Sequence, residues 1–517
     1  MKKYTFNHPI KLAMSGGGFR ASAFHLGTLS YLNEINIIEE IDTLSSVSGG
    51  AFTCMIYTLY IKQNKQFKDI YTDLYKFFKE HNLLKESTSI IGKDAPHTMT
   101  KDYNLITAYS RLYNELLTKD ETFNIFWNDN KIHLKEIIFN STEFRTGNAF
   151  RFQKSESNAA RIGNHNISIK KDIARKIRLS DILAASTCIP GGCEPLAFPF
   201  DFYWPENTIP EPVLEQFKKP LPLMDGGVYD NQGIESAMLA DGRDKNDFGI
   251  FIISDVDQPK DNYYSYPKDR PRGIISLNML NLTSIILFLF LIGSSITLAA
   301  NILLSIKTNK FVFWELLFQS IIPFFILSAL SWLLYTTRNN IAKALIKFSP
   351  VVGINAWNDI KHLTIDQFLD MAELRITSLI ALTSDIFMKR IRDLIYNQIY
   401  RDKKYKHKRI SNLIYDLAGK TRKVFIEECR PSQAIIKTAN TAADVPTTFW
   451  FNNKQDLKDI IACGQFTICF NLLEYLLRKE QHHALTVKEK HLIKTLKKDW
   501  KNFCLNPYWL FDKHSTD

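Results

Sequence analysis

Three glycine-rich turns, each directly after a short segment with apolar residues, constrain the fold of this 517-residue chain more than any other feature. Glycine lets the backbone turn sharply and lets two elements approach each other closely. A chain that passes from a short apolar segment through such a turn into a helix-like segment is typical of an α/β protein. The turns are SGGGFR at 15–20, SVSGG at 46–50 and DGG at 225–227.

The segments around these turns predict a layered α/β domain over residues 1–260. Helices are expected after the first two turns, over 20–33 and 50–63. The last strand candidate is apolar enough to be buried on both faces of a sheet. The strand candidates are 10–14, 43–47, 136–140 and 248–254.

Two long segments without a charged residue, 274–306 and 316–337, change the composition in the middle of the chain. Each exceeds the ~20 residues that cross a ~30 Å hydrocarbon layer. We therefore predict a two-helix transmembrane hairpin over 274–337, the alternative being buried core helices. More basic residues flank the hairpin than occupy its loop, which predicts the inner (cytoplasmic) membrane, with the catalytic domain on the cytoplasmic side.

The net charge of +11 and the seven cysteines bear on partners and compartment. A basic chain favours an anionic partner, and the two apolar segments favour lipid over nucleic acid. The cysteines are odd in number and show no CxxC pair or zinc spacing. They predict reduced thiols in a reducing compartment and no metal site.

The C-terminal half is predicted to be helical over 341–480 and to end in a basic and aromatic tail over 481–517. The tail fits a membrane surface and a closing helix equally well. A basic cluster at 401–409 fits a solvated loop or a contact with anionic headgroups. Nucleic-acid binding by 401–423 is a further idea, but no recognition motif supports it.

Ser48 is the candidate nucleophile, because a serine in a sharp turn from strand to helix exposes its hydroxyl above the end of a sheet. The helix that follows directs its free N–H groups and positive dipole end towards this serine. Ser46 stands where the GxSxG pattern has glycine, and we expect its small side chain to fit. The alternative is a chance SxSGG sequence on a loop.

Asp225 is the candidate general base. A carboxylate held at a strand end near Ser48 can take the hydroxyl proton directly. The alternative is a structural turn, since Asp-Gly is a common turn pair. His25 lies within the first predicted helix and is interpreted as structural, which leaves a two-residue Ser–Asp arrangement.

The three successive glycines Gly16, Gly17 and Gly18 allow backbone N–H groups to converge on one point. They predict an oxyanion hole. A nucleotide phosphate cradle is the alternative, although the spacing fits neither GxGxxG nor GxxxxGK[ST]. Arg20 is a candidate for substrate binding through a lipid phosphate, for bracing the glycine loop, or for a plain surface position.

Five separated segments, in this order along the chain, resemble motifs of the patatin-like phospholipase family. The resemblance covers residues 9–255, and 445–473 is similar to the closing segment of some bacterial members. Ser46 and Ser15 depart from the family pattern, in which glycine and often aspartate stand. The segments are 12–21 (LAMSGGGFRA), 46–50 (SVSGG), 140–147 (NSTEFRTG), 184–191 (AASTCIPG) and 225–231 (DGGVYDN).

The resemblance implies a three-layer α/β hydrolase sheet flanked by helices, with the transmembrane hairpin inserted into one hydrolase domain. It implies a dyad of Ser48 and Asp225, oxyanion donors at Gly16, Gly17 and Gly18, and lipid acyl hydrolysis without a cofactor. Membrane glycerophospholipid is then the expected substrate and partner of a membrane-embedded chain. The alternative is a non-catalytic membrane scaffold or lipid-binding protein on a hydrolase fold.

Overall fold

The computed structural model divides the chain into two compact units. The first unit comprises Met1–Asp261 and Ile386–Asp517, and the second comprises Asn262–Asp385. The described residues are 4–93, 104–127, 132–243, 247–257, 263–266, 273–274, 276–308, 314, 317–352, 362–419 and 423–515.

The strands of the described residues form one mixed sheet in the first unit. They are β1 (Ile10–Met14), β2 (Ile41–Val47), β3 (Glu136–Glu143), β4 (Asn148–Lys154), β5 (Ile162–Gly163), β6 (Ser168–Ile169), β7 (Leu196–Phe198), β8 (Leu221–Asp225), β9 (Ile250–Asp255) and β10 (Arg409–Leu413). The main path runs β10-β9-β1-β2-β3-β4-β5-β6, and β8 pairs with both β3 and β7. Strands from β10 to β3 pair in parallel, whereas β4 and β8 pair with β3 in antiparallel.

Helices flank this sheet and make up the regular structure of the second unit. They are α1 (Gly18–Glu34), α2 (Gly49–Lys62), α3 (Phe67–Glu80), α4 (Leu83–Lys93), α5 (Leu105–Tyr113), α6 (Lys171–Ala174), α7 (Leu179–Thr187), α8 (Glu211–Gln216), α9 (Gly227–Asp230), α10 (Ile234–Arg243), α11 (Leu277–Thr308), α12 (Ile322–Val352), α13 (Ile365–Ile380), α14 (Phe387–Arg401), α15 (Gln433–Asp444), α16 (Lys454–His482), α17 (Val487–Leu505) and α18 (Trp509–Ser515).

The predicted α/β class, a sheet flanked by helices, is confirmed by this architecture. The first strand has the predicted bounds, and β2, β3 and β9 overlap the other three strand candidates. The helices predicted after the two N-terminal turns are α1 and α2. Every residue of β1, β2, β3 and β9 is buried, which agrees with central parallel strands that are covered on both faces.

The segment 341–480, predicted to be helical, contains a strand. β10 adds to the edge of the sheet beside β9, and its residues alternate between buried and half-buried positions. A strand of five residues is too short for its alternation of buried and half-buried positions to be recognised in the sequence between two helical segments. The boundary between units also falls after residue 385, so α12 and α13 group with the second unit.

α16 is a long apolar helix inside the first unit, packed against α1. Its close approach depends on one glycine in each helix. A Cβ at Gly464 would overlap the Phe24 carbonyl oxygen, and one at Gly27 would overlap the Ile461 carbonyl oxygen. α16 is long and apolar enough to span a membrane, but almost all of its apolar window is buried within the protein.

The basic cluster at 401–409 and the C-terminal tail both pack against other parts of the first unit. Lys408 Nζ lies 2.8 Å from Asp247 Oδ1, and Lys404 pairs with Asp241. In the tail, α17 and α18 bury most of their aromatic side chains, so their inner sides close the fold. The buried aromatic residues of the tail are Trp500, Phe503 and Phe511.

The second unit contains the two apolar segments as long helices. The windows Leu282–Thr308 and Leu317–Thr337 have the length and composition to cross a membrane, and almost none of either window is buried. The two segments contact each other, and Asn301 Nδ2 donates a hydrogen bond of 2.8 Å to Ser320 Oγ. Within the described residues, these two segments therefore form exposed helices and not buried core helices.

Candidate active site

β3 brings Ser48 and Asp225 together. Val47, the last residue of β2, pairs with Asn140 of β3, and Asp225, the last residue of β8, pairs with the next residue, Ser141. β4 pairs along the other edge of β3. β2 and β8 therefore lie end to end on the same edge of β3. Neighbouring strands lie about 4.8 Å apart, so the residue after Val47 and the end of β8 meet at one point.

Ser48 occupies a strained turn between β2 and α2. Its φ of 48° and ψ of −120° are rare for a residue with a side chain and cost about 1–3 kcal/mol. The turn is held by a relay, in which the Ser48 N–H donates to Ser186 Oγ at 3.0 Å and Ser186 donates to the Asn140 carbonyl at 2.7 Å. Such a turn is typical of a nucleophile that is exposed at the end of a sheet.

Small residues around Ser48 allow the backbone to pack at this density. A Cβ at Gly49 would overlap the Gly18 carbonyl, and one at Gly50 would lie 2.6 Å from the Ser15 carbonyl oxygen. Ser46 fits as expected, because its hydroxyl donates to the Ile138 carbonyl of β3 at 3.2 Å. The turn therefore tolerates serine at the first glycine position of the pattern.

Asp225 is buried and has an unusual proton affinity. Burial raises the pKa of its carboxyl to about 6, against the opposing effects of hydrogen bonds from the Ser48 hydroxyl and the Gly227 N–H. The Gly227 N–H donates to Oδ1 at 2.7 Å. Oδ2 is also buried, and no well-aligned hydrogen bond from the described residues reaches it. A carboxylate with a pKa near neutrality and the Ser48 hydroxyl beside it has the properties of a general base.

The glycine loop offers two of the three N–H groups predicted to bind an oxyanion. The Gly16 N–H donates to the Asn231 carbonyl at 2.8 Å, so this amide is already used. Gly17 and Gly18 have φ values of 138° and 54°, which favour glycine. In the described part of the chain their N–H groups have no hydrogen-bond partner. With the N–H of Gly49, which follows Ser48, they can form the oxyanion site.

A segment from the C-terminal part of the chain supports the glycine loop. The Phe19 N–H donates to the Thr448 carbonyl at 2.8 Å, and a Cβ at Gly18 would overlap that same carbonyl oxygen. Arg20 Nη1 donates to the Val445 carbonyl at 2.8 Å. Burial lowers the pKa of Arg20 to about 10, and nearby Arg392 adds to this effect.

These contacts give Arg20 the bracing role rather than that of a ligand for a lipid phosphate. Its guanidinium donates to the carbonyl groups of Ala443 and Val445 at the end of α15. The chain that follows holds the glycine loop through the Thr448 carbonyl. Arg20 is therefore a structural residue in this arrangement, and the substrate-binding prediction for it is not supported by its contacts.

His25 is buried, and both of its ring nitrogens contact residues other than Ser48 and Asp225. Its Nε2 lies 3.0 Å from the Ser15 carbonyl, and its Nδ1 lies 2.9 Å from Ser254 Oγ. Burial lowers its pKa to about 4, so the ring is neutral, donates to Ser15 and accepts from Ser254. His25 is thus structural, as expected from its position within α1. Among the described residues, no group of three His, Cys, Asp or Glu side chains could hold a metal ion.

Three further residues hold the site. Ser186 fixes the Ser48 turn, the Thr448 carbonyl supports Gly18, and Asn231 accepts from Gly16. Asn231 Oδ1 also fills the space beside Gly227, where a Cβ would lie 2.6 Å from it. Asn231 and Ser186 lie within recognised segments, but no local pattern marks them as supports.

Comparison with known proteins agrees with this geometry. No curated protein matches the chain. The family model for Patatin-like phospholipase matches residues 12–238, a range that contains the glycine loop, the Ser48 turn and Asp225. The matched range also includes strands β2, β3 and β8, which bring the two candidate reacting groups together. Residues 12–238 of this chain form a domain of the patatin-like phospholipase family.

Proposed function

We propose that this protein is a membrane-anchored serine hydrolase that cleaves fatty-acyl esters of glycerophospholipids with Ser48 and Asp225. The family supports lipid acyl hydrolysis in general terms. The observation that carries the proposal is the pairing of the ends of β2 and β8 with consecutive residues of β3. The strained turn at Ser48 and the raised pKa of the buried Asp225 carboxyl also support the proposal.

In the first step, Ser48 Oγ attacks the ester carbonyl carbon while its proton passes to Asp225. The pKa of about 6 makes Asp225 a stronger base than an ordinary aspartate, yet leaves it ionised at neutral pH. The negative charge that develops on the carbonyl oxygen is stabilised by the N–H groups of Gly17, Gly18 and Gly49. Asp225 then protonates the departing glycerol oxygen, and the lysophospholipid leaves.

In the second step, water hydrolyses the acyl-serine. Asp225 takes a proton from the water, whose oxygen attacks the acyl carbon, and the same N–H groups hold the second oxyanion. Collapse of this intermediate returns the proton to Ser48 and releases the fatty acid. The cycle requires only the two side chains, the backbone amides and water.

Two features support residence at the membrane. The windows Leu282–Thr308 and Leu317–Thr337 are exposed apolar helices of spanning length. A two-span hairpin returns the chain to its starting side, so both parts of the first unit lie on one side of the bilayer. The excess of basic residues at its flanks favours the cytoplasmic side. An anchored enzyme would meet its lipid substrate at a high local concentration.

The test is lipid mass spectrometry of phospholipid vesicles that contain the full-length protein. Wild type is expected to release fatty acid and lysophospholipid, and Ser48→Ala to reduce the rate by about 10⁴-fold or more. Ser46→Ala removes a serine from the same turn and is the matched control, which should retain activity. Equal release by wild type and Ser48→Ala, or none by wild type, would contradict the proposal and favour a scaffold.

A further inference from the structure

One face of α17 carries four exposed lysines that have no ion pair with the described residues. They are Lys490, Lys494, Lys498 and Lys501. At 3.6 residues per turn, these positions lie within an arc of about 80°. The adjacent Lys497 differs, since it is half-buried and lies 2.7 Å from Glu428. We call the four-lysine arc the lysine face.

Both ends of the lysine face carry an exposed aliphatic side chain. Val487, the first residue of α17, is 86% exposed, and Leu505, the last, is 85% exposed. Both fall within the same arc and are separated by about 27 Å along the helix axis. Single exposed apolar side chains are common on protein surfaces, so these two support a contact only together with the charge of the lysine face.

The opposite side of α17 is packed into the first unit, which fixes the orientation of the lysine face. The buried residues lie roughly 180° around the helix from the lysines. The acidic residues of α17 are also on the buried side, where Glu489 binds Lys479 and Asp499 accepts from Tyr31. Glu489 is therefore already paired, whereas Asp499 partly balances one lysine of the face, since the charge of Lys498 opposes the rise that burial causes in the Asp499 pKa. The buried apolar residues are Leu492, Ile493, Leu496, Trp500 and Phe503.

We propose that the lysine face binds the anionic headgroup surface of a bilayer, as a membrane contact separate from the apolar helices of the second unit. Lysines bind a fluid layer of phosphates as point charges, and each adds about fivefold to the affinity. Exposed aliphatic side chains at both ends can enter the interface between headgroups and acyl chains. The face contains no aromatic or arginine side chain on which the bases of a nucleic acid could stack.

The proposal extends the proposed function but does not rest on hydrolysis. It predicts that anionic lipid orients the first unit on the bilayer through α17. Acetylation of lysines by a water-soluble reagent, read by mass spectrometry, reports this contact in the full-length protein. The Ser48→Ala variant is used so that lipid turnover does not change the vesicles. Anchoring by the apolar helices is measured separately by flotation, because an anchored chain floats with neutral vesicles as well as with anionic ones.

The experiment compares vesicles of phosphatidylcholine with vesicles in which about one-third of the lipid is phosphatidylglycerol. We expect acetylation of the four lysines to be at least about fivefold slower in the anionic vesicles. Protection should be lost at about 1 M salt, where charges are screened beyond about 3 Å. Lys218 and Lys219, which are exposed and remote in sequence, should react equally in both vesicles.

A charge-removal variant tests whether the lysines cause the contact. His491 is exposed beside the face, and its carbethoxylation should be slower in anionic vesicles. Replacing all four lysines by Gln should abolish that protection, whereas the control Lys218→Gln with Lys219→Gln should retain it. Three results would overturn the proposal: equal acetylation in both vesicles, equal protection of Lys218 and Lys219, or stronger protection in detergent by a DNA duplex than by anionic lipid.

Discussion

Asp225 is expected to cost the protein stability at the pH where it supports catalysis, and Asp225→Asn should recover it. Burial raises the carboxyl pKa from 3.8 to about 6, so ionising Asp225 in the folded protein is unfavourable. The difference corresponds to about 3 kcal/mol. Asn keeps an oxygen that can accept from the Gly227 N–H and an amide that can donate to the Ser48 hydroxyl.

The pH dependence gives this prediction its sign. Below about pH 3.8 the carboxyl is protonated in both the folded and unfolded states, so wild type and Asp225→Asn should not differ. Between pH 3.8 and about 6 the folded protein holds a proton that the unfolded chain has released, so the free energy of unfolding falls as pH rises. Above about pH 6 the full penalty of about 3 kcal/mol is present.

The assay is thermal unfolding of the full-length protein at pH 8 and at pH 4. The entropy of unfolding is about 2.1 cal/mol/K per residue, and the first unit has roughly 390 residues. A gain of about 3 kcal/mol then raises the melting temperature by about 4 °C at pH 8. Most of this gain should disappear at pH 4.

Asp230→Asn is the matched comparison. Burial also raises the pKa of Asp230 to about 6, but its carboxylate accepts from the N–H groups of Gln232, Gly233 and Glu235 at 2.8–3.0 Å. An amide would face these donors with its own N–H₂ group, so this variant should lose about 1–3 kcal/mol. A less stable Asp225→Asn at pH 8, or equal effects at pH 8 and pH 4, would refute the reasoning.

Two further predictions concern activity. The rate of ester hydrolysis should rise about tenfold per pH unit below pH 6 and level off above it, because Asp225 must be ionised to accept the proton; a rate that is flat between pH 4.5 and about 7 would contradict this role. Gly18→Ala should lower activity by about 10²-fold and stability by about 1–3 kcal/mol, because its Cβ would overlap the Thr448 carbonyl oxygen. Gly147→Ala, also at positive φ but in open space, should cost only about 1 kcal/mol and leave the rate unchanged; equal effects of the two variants would exclude the steric explanation.

The parts of the site that lie within a few residues of a turn could be predicted from the sequence. Ser48 and Asp225 were predicted because each follows a strand and precedes glycine, and a turn of this kind is determined by local backbone geometry. The bounds of β1 follow from the first turn, and α1 and α2 begin two residues and one residue before their predicted starts. That both side chains meet depends on the pairing of β8 with β3, which no local pattern encodes.

The features that the sequence does not indicate depend on contacts between residues far apart in the chain. Gly16 was predicted as an oxyanion donor, but its amide is used by Asn231, which is more than 200 residues away in sequence. For Arg20 the sequence leaves substrate binding and bracing of the glycine loop open, and only the fold brings its guanidinium to the Val445 carbonyl, which favours bracing. The strand β10 was missed because its edge position beside β9 becomes visible only once the sheet is assembled.

The most direct test of the central claim is the site of covalent labelling by a fluorophosphonate probe on the full-length protein in vesicles. We expect a single phosphonylated peptide with the adduct on Ser48. Labelling should be lost in Ser48→Ala, strongly reduced in Asp225→Asn at pH 8, and retained in Ser46→Ala. An adduct on another serine, or labelling of Ser48 that Asp225→Asn leaves unchanged, would contradict the assignment of these two residues as nucleophile and base.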